Sequence, residues 1–172
     1  MLDHSVFAYR TDDDFATVMG SFLAEGVQRS EAILAVTTSA NRELLREQLG
    51  TDAQRIEFVD VNSFYATPLT ALETAKAFAD DRLTDGASWV RFLGEPVWAE
   101  KTDAEIRLWT RYESIFNLVF AAAPMTVVCP YDERIVDPEI IRAAHRTHPH
   151  ARDERGLATC PDYADPREFA LS

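Results

Sequence analysis

The residues with the most chemical potential are charges and thiols set among apolar neighbours. Arg91 stands between Trp89, Val90, Phe92 and Leu93 on a stretch that reads as a strand. A cation there must be paired. Glu113 shares a helical face with Trp109, Phe116 and Phe120 by the i, i+3 and i+4 rule. A carboxylate on an apolar stripe needs a cation or a ligand to be tolerated. One reading is a structural Arg91–Glu113 ion pair. The other is a polar cluster of Arg91, Glu95 and Glu113 at the strand ends, lining a ligand pocket walled by Trp98, Tyr112 and Tyr131.

Other chemistries have weaker support. Cys129 follows an apolar strand and precedes Pro130-Tyr131-Asp132. It is either an inert core residue or, with a lowered pKa, a thiol sensor. His145, His148 and His150 lie near one another, but with Cys129 or Cys160 they do not form a compact zinc motif, and no metal is expected. No GxSxG elbow and no triad spacing occurs. Glu95 and Glu113 would serve as an acid–base pair only if close, which nothing in the spacing requires. The sequence therefore speaks against an enzyme. No GxxxxGK[ST] and no GxGxxG occurs, and the first loop offers Asp12, Asp13 and Asp14 where a phosphate cradle needs glycine and lysine. The three aspartates suit a helix N-terminus.

The elements that must hold these residues alternate. Ser5–Tyr9, Ala32–Val36, Arg55–Val61, Trp89–Leu93 and Met125–Cys129 are predicted strands. Thr11 with Asp14 three residues on opens a helix that Gly26 is expected to end. Thr37, Thr38 or Ser39 caps a second helix, which Gly50 stops. Pro68 begins a third, Asp103 opens the longest, to about Ala123, and Asp137-Pro138 begins the last. Strand–helix alternation predicts an α/β fold with a mostly parallel central sheet and helices on both faces. Ligands of such sheets bind beyond the carboxyl ends of the strands.

The chain has 172 residues, 47% hydrophobic and 27% charged, enough for one ordinary domain. Seventeen Lys plus Arg against 29 Asp plus Glu give a net charge of −12 and no basic stripe, which argues against nucleic-acid or anionic-membrane partners. There is no apolar run of membrane-spanning length. The opening residues lack the basic and apolar regions of a signal peptide, so a cytoplasmic location with reduced Cys129 and Cys160 is expected. Residues 1–150 read as the ordered domain. Residues 151–172, polar and with two of the prolines, read as an extended tail or the start of a linker.

Taken together, the positions resemble the MEDS family, the sensory domain named from methanogens and the methylotroph dichloromethane regulator. The residues that carry the likeness are His4 with Tyr9, Phe22-Leu23-Ala24-Glu25-Gly26, Arg91 with Gly94-Glu95 and Trp98, Tyr112-Glu113 with Asn117, Cys129-Pro130-Tyr131-Asp132, and His148-Pro149. The resemblance implies a RecA/KaiC-like fold with a degenerate phosphate loop. It also implies a sensor in place of a catalyst, feeding an output module that is histidine-kinase-like (anti-sigma type) or DNA-binding. A small-molecule effector or a partner protein is the expected signal, and a homodimer the expected assembly. The family fixes no ligand and no cofactor. An interaction scaffold without a small ligand is the alternative, and a residual nucleotide-binding protein a third.

Overall fold

The computed structural model describes residues 1–171. Seven strands form one sheet: β1 (Asp3–Tyr9), β2 (Ala32–Thr37), β3 (Glu57–Asp60), β4 (Val90–Gly94), β5 (Met125–Asp132), β6 (His150–Asp153) and β7 (Gly156–Thr159). Their order is β3-β2-β4-β5-β1-β6-β7, and every pair is parallel except β6 with β7. The helices are α1 (Asp12–Gln28), α2 (Ser39–Leu49), α3 (Val61–Phe64), α4 (Pro68–Thr84), α5 (Asp103–Val119), α6 (Pro138–Thr147) and α7 (Pro166–Leu171). The expected α/β architecture, with a mostly parallel sheet, is therefore the observed one.

Strand alternation sorts the core into two layers. On β1 and β5, His4 sits opposite Val127 and Val6 opposite Cys129, so these four side chains share one face. That face meets α4, α5 and α6 through Ala75, Phe116, Phe120 and Ile140. The other face carries Phe7, Tyr9 and Val128 onto Phe15, Met19 and Leu23 of α1 and Leu45 of α2. Helix starts follow the capping chemistry: the Thr11, Thr38, Thr67 and Thr102 hydroxyls each accept a backbone N–H of the first turn. At α5, Glu105 reaches back to the Thr102 backbone and completes a capping box.

Three expectations need correction. Gly26 does not end α1, which runs on to Gln28. It lies under the Arg91 side chain, where a Cβ would fall 2.6 Å from Arg91 Cδ. Close approach, and not a turn, is the demand on this glycine. The helix opened by Asp103 stops at Val119 and, at 17 residues, equals α1 and α4 in length. Residues beyond 150 are not an extended tail. β6 pairs alongside β1 at Ser5 and Val6, and a tight turn returns the chain as β7. Asp153 makes that turn by accepting the Arg155 and Gly156 backbone N–H groups, with Gly156 at φ 127°. Cys160 is then buried and α7 lies against α5, where Ser114 Oγ donates to the Pro166 carbonyl. This hairpin covers what would otherwise be an open β1 edge.

Candidate functional site

Four side chains from four segments converge under the face that carries α5 and α6. His4 comes from β1, Cys129 from the middle of β5, Glu113 from the buried stripe of α5, and His148 from the residue that caps α6. None is more than 4% exposed, so water does not solvate them. His4 Nε2 lies 3.4 Å from Cys129 Sγ and 3.7 Å from Glu113 Oε2. His148 Nε2 lies 3.7 Å from the same carboxyl oxygen, and Cys129 Sγ lies 3.9 Å from it.

The surroundings fix which imidazole nitrogen carries the proton. His148 Nδ1 stands 2.8 Å from the Ala144 carbonyl oxygen, which can only accept, so Nδ1 is the protonated nitrogen. The Asn117 amide nitrogen donates to the Glu113 and Thr147 carbonyls, which turns its oxygen toward His4. His4 Nδ1, 3.0 Å from that oxygen, therefore donates too. Both Nε2 atoms are thus acceptors: that of His4 takes the Cys129 S–H at 3.4 Å, that of His148 has no partner, and both lie 3.7 Å from Glu113 Oε2.

Burial holds the cluster neutral. It lowers the His4 pKa to about 4 and that of His148 well below its ordinary value. It raises Glu113 to about 8, and it pushes the Cys129 thiol up, with Glu113 adding to the effect. The two 3.7 Å contacts are thus not ion pairs, and at that length they are not hydrogen bonds. Around them, the Tyr112 and Tyr131 hydroxyls, the Trp98 indole N–H and His148 Nε2 are buried without a hydrogen-bond partner. Each such atom costs on the order of 1–3 kcal/mol. A chain of rings leads outward: His148 meets Tyr131 edge-on at 6.2 Å, and Tyr131 stacks with Trp98 at 6.0 Å. Trp98 lines a cavity of about 110 Å3 at the carboxyl ends of β2, β4 and β5, with Thr38, Glu95, Pro130 and Val136.

Of the six pocket residues expected from the sequence, the structure brings Trp98, Tyr112, Glu113 and Tyr131 to this region. Glu95 stands with Trp98 at the cavity but makes no contact with Glu113, and only Arg91 lies elsewhere. Arg91 points to the α1 face and does not pair with Glu113. Its Nε donates to Glu31 at 2.5 Å, and its Nη1 donates to the Phe22 carbonyl and to Glu25 at 2.8 and 3.1 Å. The reason is alternation: Arg91 pairs with Thr126, one residue out of phase with Val127 and Cys129. Glu95 accepts from the Thr37 hydroxyl, the Thr38 N–H and the Asn41 amide, beyond the strand ends. The three-membered cluster of Arg91, Glu95 and Glu113 is therefore not formed. Neither is the low-pKa environment a thiol sensor needs, since Cys129 is enclosed and its pKa raised.

His4 and Asn117 had entered only as parts of a family pattern, and His148 also as one of three clustered histidines whose spacing, with Cys129 or Cys160, is not that of a compact zinc motif. Their signal was present: a histidine on an apolar strand and an asparagine one helical turn from Glu113. The histidines near the end of α6 do not act together. His145 contacts Cys160, and His150 faces Asp3 at 3.0 Å.

An α/β domain with a sheet of parallel strands and a polar centre enclosed in its core is the class defined so far. The family model described as MEDS, "MEthanogen/methylotroph, DcmR Sensory domain", matches residues 3–149, and the chain belongs to that family. It is a sensory domain, and His4, Glu113, Cys129 and His148 all fall within the matched span. No curated protein and no solved structure matches the chain. Among the described residues no helix is long and apolar enough to cross a membrane.

Proposed function

We propose that the chain is the input part of a cytoplasmic signalling protein that takes up a small effector at the His4/Glu113/Cys129/His148 centre. It regulates an output module, histidine-kinase-like or DNA-binding, in cis or in trans, and catalyses no reaction of its own. One observation carries the reading: a cluster of neutral, mutually facing and incompletely hydrogen-bonded groups sits inside an otherwise apolar core. An apolar core of equal volume would be more stable, so the polar groups answer to something other than folding. α5 offers the relay. Its inner face supplies Glu113 and Asn117, while Leu108, Ile115 and Val119 form an exposed apolar stripe on its outer face. An effector that repositions Glu113 shifts the helix that presents this stripe.

That stripe also favours the second reading, an interaction or dimerisation module without a small ligand. Native mass spectrometry against a denatured run, followed by hydrogen exchange with the site filled and emptied, separates the two. The sensor reading expects a bound mass that His4→Leu and Glu113→Leu remove, with changed protection along α5. A folded protein with no bound mass, and with unchanged α5 exchange in Glu113→Leu, would leave the interaction module.

A further inference from the structure

The reading above leaves the occupant of the centre unnamed, and the donor set is specific enough to name its class. We propose that His4, Glu113, Cys129 and His148 bind one divalent transition-metal ion of the zinc type in a four-coordinate site; this rests on the centre being the sensing site.

Four separate observations support it. The first is shape. With Zn–N and Zn–O near 2.0 Å and Zn–S near 2.3 Å, a tetrahedron has edges of about 3.3 Å between N or O donors and about 3.5 Å to the sulfur, a few tenths of an ångström inside the spacings to Glu113 found here. The measured pairs are 3.4 Å for His4 with Cys129, 3.7 Å for each histidine with Glu113, and 3.9 Å for Cys129 with Glu113. All four donor atoms lie within 4.8 Å of one another. Small rotamer adjustments close the rest.

The second is the outer layer. Metal-bound imidazoles give their other N–H to a carbonyl or a carboxylate, which fixes the tautomer. Both histidines do so here, His148 to the Ala144 carbonyl and His4 to the Asn117 amide oxygen. Asn117 is itself tied to the Glu113 and Thr147 carbonyls, so one side chain braces the strand, helix and cap that deliver three of the four donors. A packing role would not require an unpartnered His148 Nε2 aimed, together with that of His4, at one carboxyl group.

The third is charge. A thiolate and a carboxylate carry two negative charges, which a dication cancels. The occupied centre is then neutral overall, as a fully buried site must be. On binding, the thiol and any carboxyl proton pass to solvent, and no redox change is involved.

The fourth is donor type. Two imidazoles, a thiolate and one carboxylate oxygen suit zinc, cobalt or nickel. Calcium and magnesium would demand an all-oxygen shell of six or more.

The test uses the whole chain. Protein purified without chelator is assayed for bound metal by elemental mass spectrometry, then stripped and titrated with Co2+, followed by back-titration with Zn2+. The expected result is one equivalent of metal per chain, visible bands of four-coordinate Co2+, and a thiolate-to-cobalt charge-transfer band. The charge-transfer band disappears in Cys129→Ala, and Zn2+ displaces the cobalt. Asn117→Ala keeps the spectrum with affinity 10–100-fold weaker, which identifies a positioning residue. Circular dichroism shows that each variant is folded. X-ray absorption of the zinc form, which needs no variant, shows N/O scatterers near 2.0 Å and one S near 2.3 Å. A folded stripped protein that takes up neither ion, or a cobalt spectrum unaltered in folded Cys129→Ala, overturns the proposal. If metal fails but native mass spectrometry finds an organic mass that Glu113→Leu removes, the sensing site stands and its occupant is a different class. If both fail, the sensing site falls as well.

Discussion

Arg91→Met should cost about 3–5 kcal/mol of stability without disturbing the His4/Glu113 centre. The Arg91 side chain is 3% exposed, and the carboxylate of Glu31, which receives two of its N–H groups, is 5% exposed. Removing the cation strands a buried carboxylate and leaves the Phe22 carbonyl short of a donor, which sets the magnitude. Glu25 matters little because its side chain is 41% exposed and screened by water. The contact of the guanidinium with the Phe22 ring, 4.6 Å from its centroid, adds about 0.5–1 kcal/mol. For a domain of this size the loss lowers Tm by roughly 6–20 °C. Arg91→Met/Glu31→Gln should recover more than half of it, because no charge is then left unpaired. Denaturant melts of the two single variants and the double variant give the coupling energy directly. A loss below about 1 kcal/mol would refute the assignment. So would coupling of Arg91→Met to Glu113→Gln in place of Glu31→Gln, since Arg91 and Glu113 lie on opposite faces of the sheet.

Gly26→Ala should gain helix propensity yet destabilise by about 1–3 kcal/mol, because the new methyl meets Arg91 Cδ and Nε at 2.6 and 2.8 Å. In the Arg91→Ala background, which removes both atoms, the cost should shrink to that of the remaining 3.0 Å contact with Ile33 Cδ1, which chemical denaturation will show. Burial raises the Glu95 pKa in the folded state, so Glu95 binds its proton more tightly folded than unfolded. Its contribution is intact below the unfolded pKa and declines as pH rises toward the folded one. Melts of Glu95→Gln and the parent from pH 4 upward should diverge in the variant's favour as pH rises, and parallel curves would contradict this. Thr102→Ala removes the capping box of α5 and should cost about 1 kcal/mol by urea melt. A chain stopped after Pro149 bares the β1 edge and the site of α7 on α5. It should self-associate in sedimentation velocity, where a monodisperse, equally stable product would show that β6 and β7 are dispensable.

Much of the fold was legible because local signals agreed. The apolar runs at Ala32–Val36 and Met125–Cys129 fall on β2 and β5, Thr11 and Thr38 cap the first two helices as read, and Pro68 and Asp103 mark two further helix starts whose caps, Thr67 and Thr102, the structure adds. The β6–β7 hairpin was missed because four-residue polar strands carry no hydrophobic period, although the Asp153–Gly156 turn signal was present. At the site, Glu113 was recognised by its cost on an apolar helix face, and Trp98, Tyr112 and Tyr131 followed from it. Its donors were not assembled, because His4, Glu113, Cys129 and His148 come from four segments and their meeting depends on β1 lying beside β5. Arg91 was misassigned for a related reason. Strand periodicity tells that two residues face opposite ways, but not which helix covers which face.

The position of β1 has a consequence for the order of events during synthesis. Its neighbours are β5 and β6, so the first strand to be made pairs only with strands made near the end. At ordinary elongation rates the chain from Tyr9 to Met125 takes on the order of ten seconds to emerge. Through that interval the Ser5–Tyr9 segment, which becomes almost wholly buried, has no partner. Until β5 emerges, β2, β3 and β4 have only one another as sheet partners, and β1 has no place in the sheet. The same wiring makes the completed centre a report on the completed fold: the four donors meet only when the earliest strand and the last helix of the matched domain have both docked.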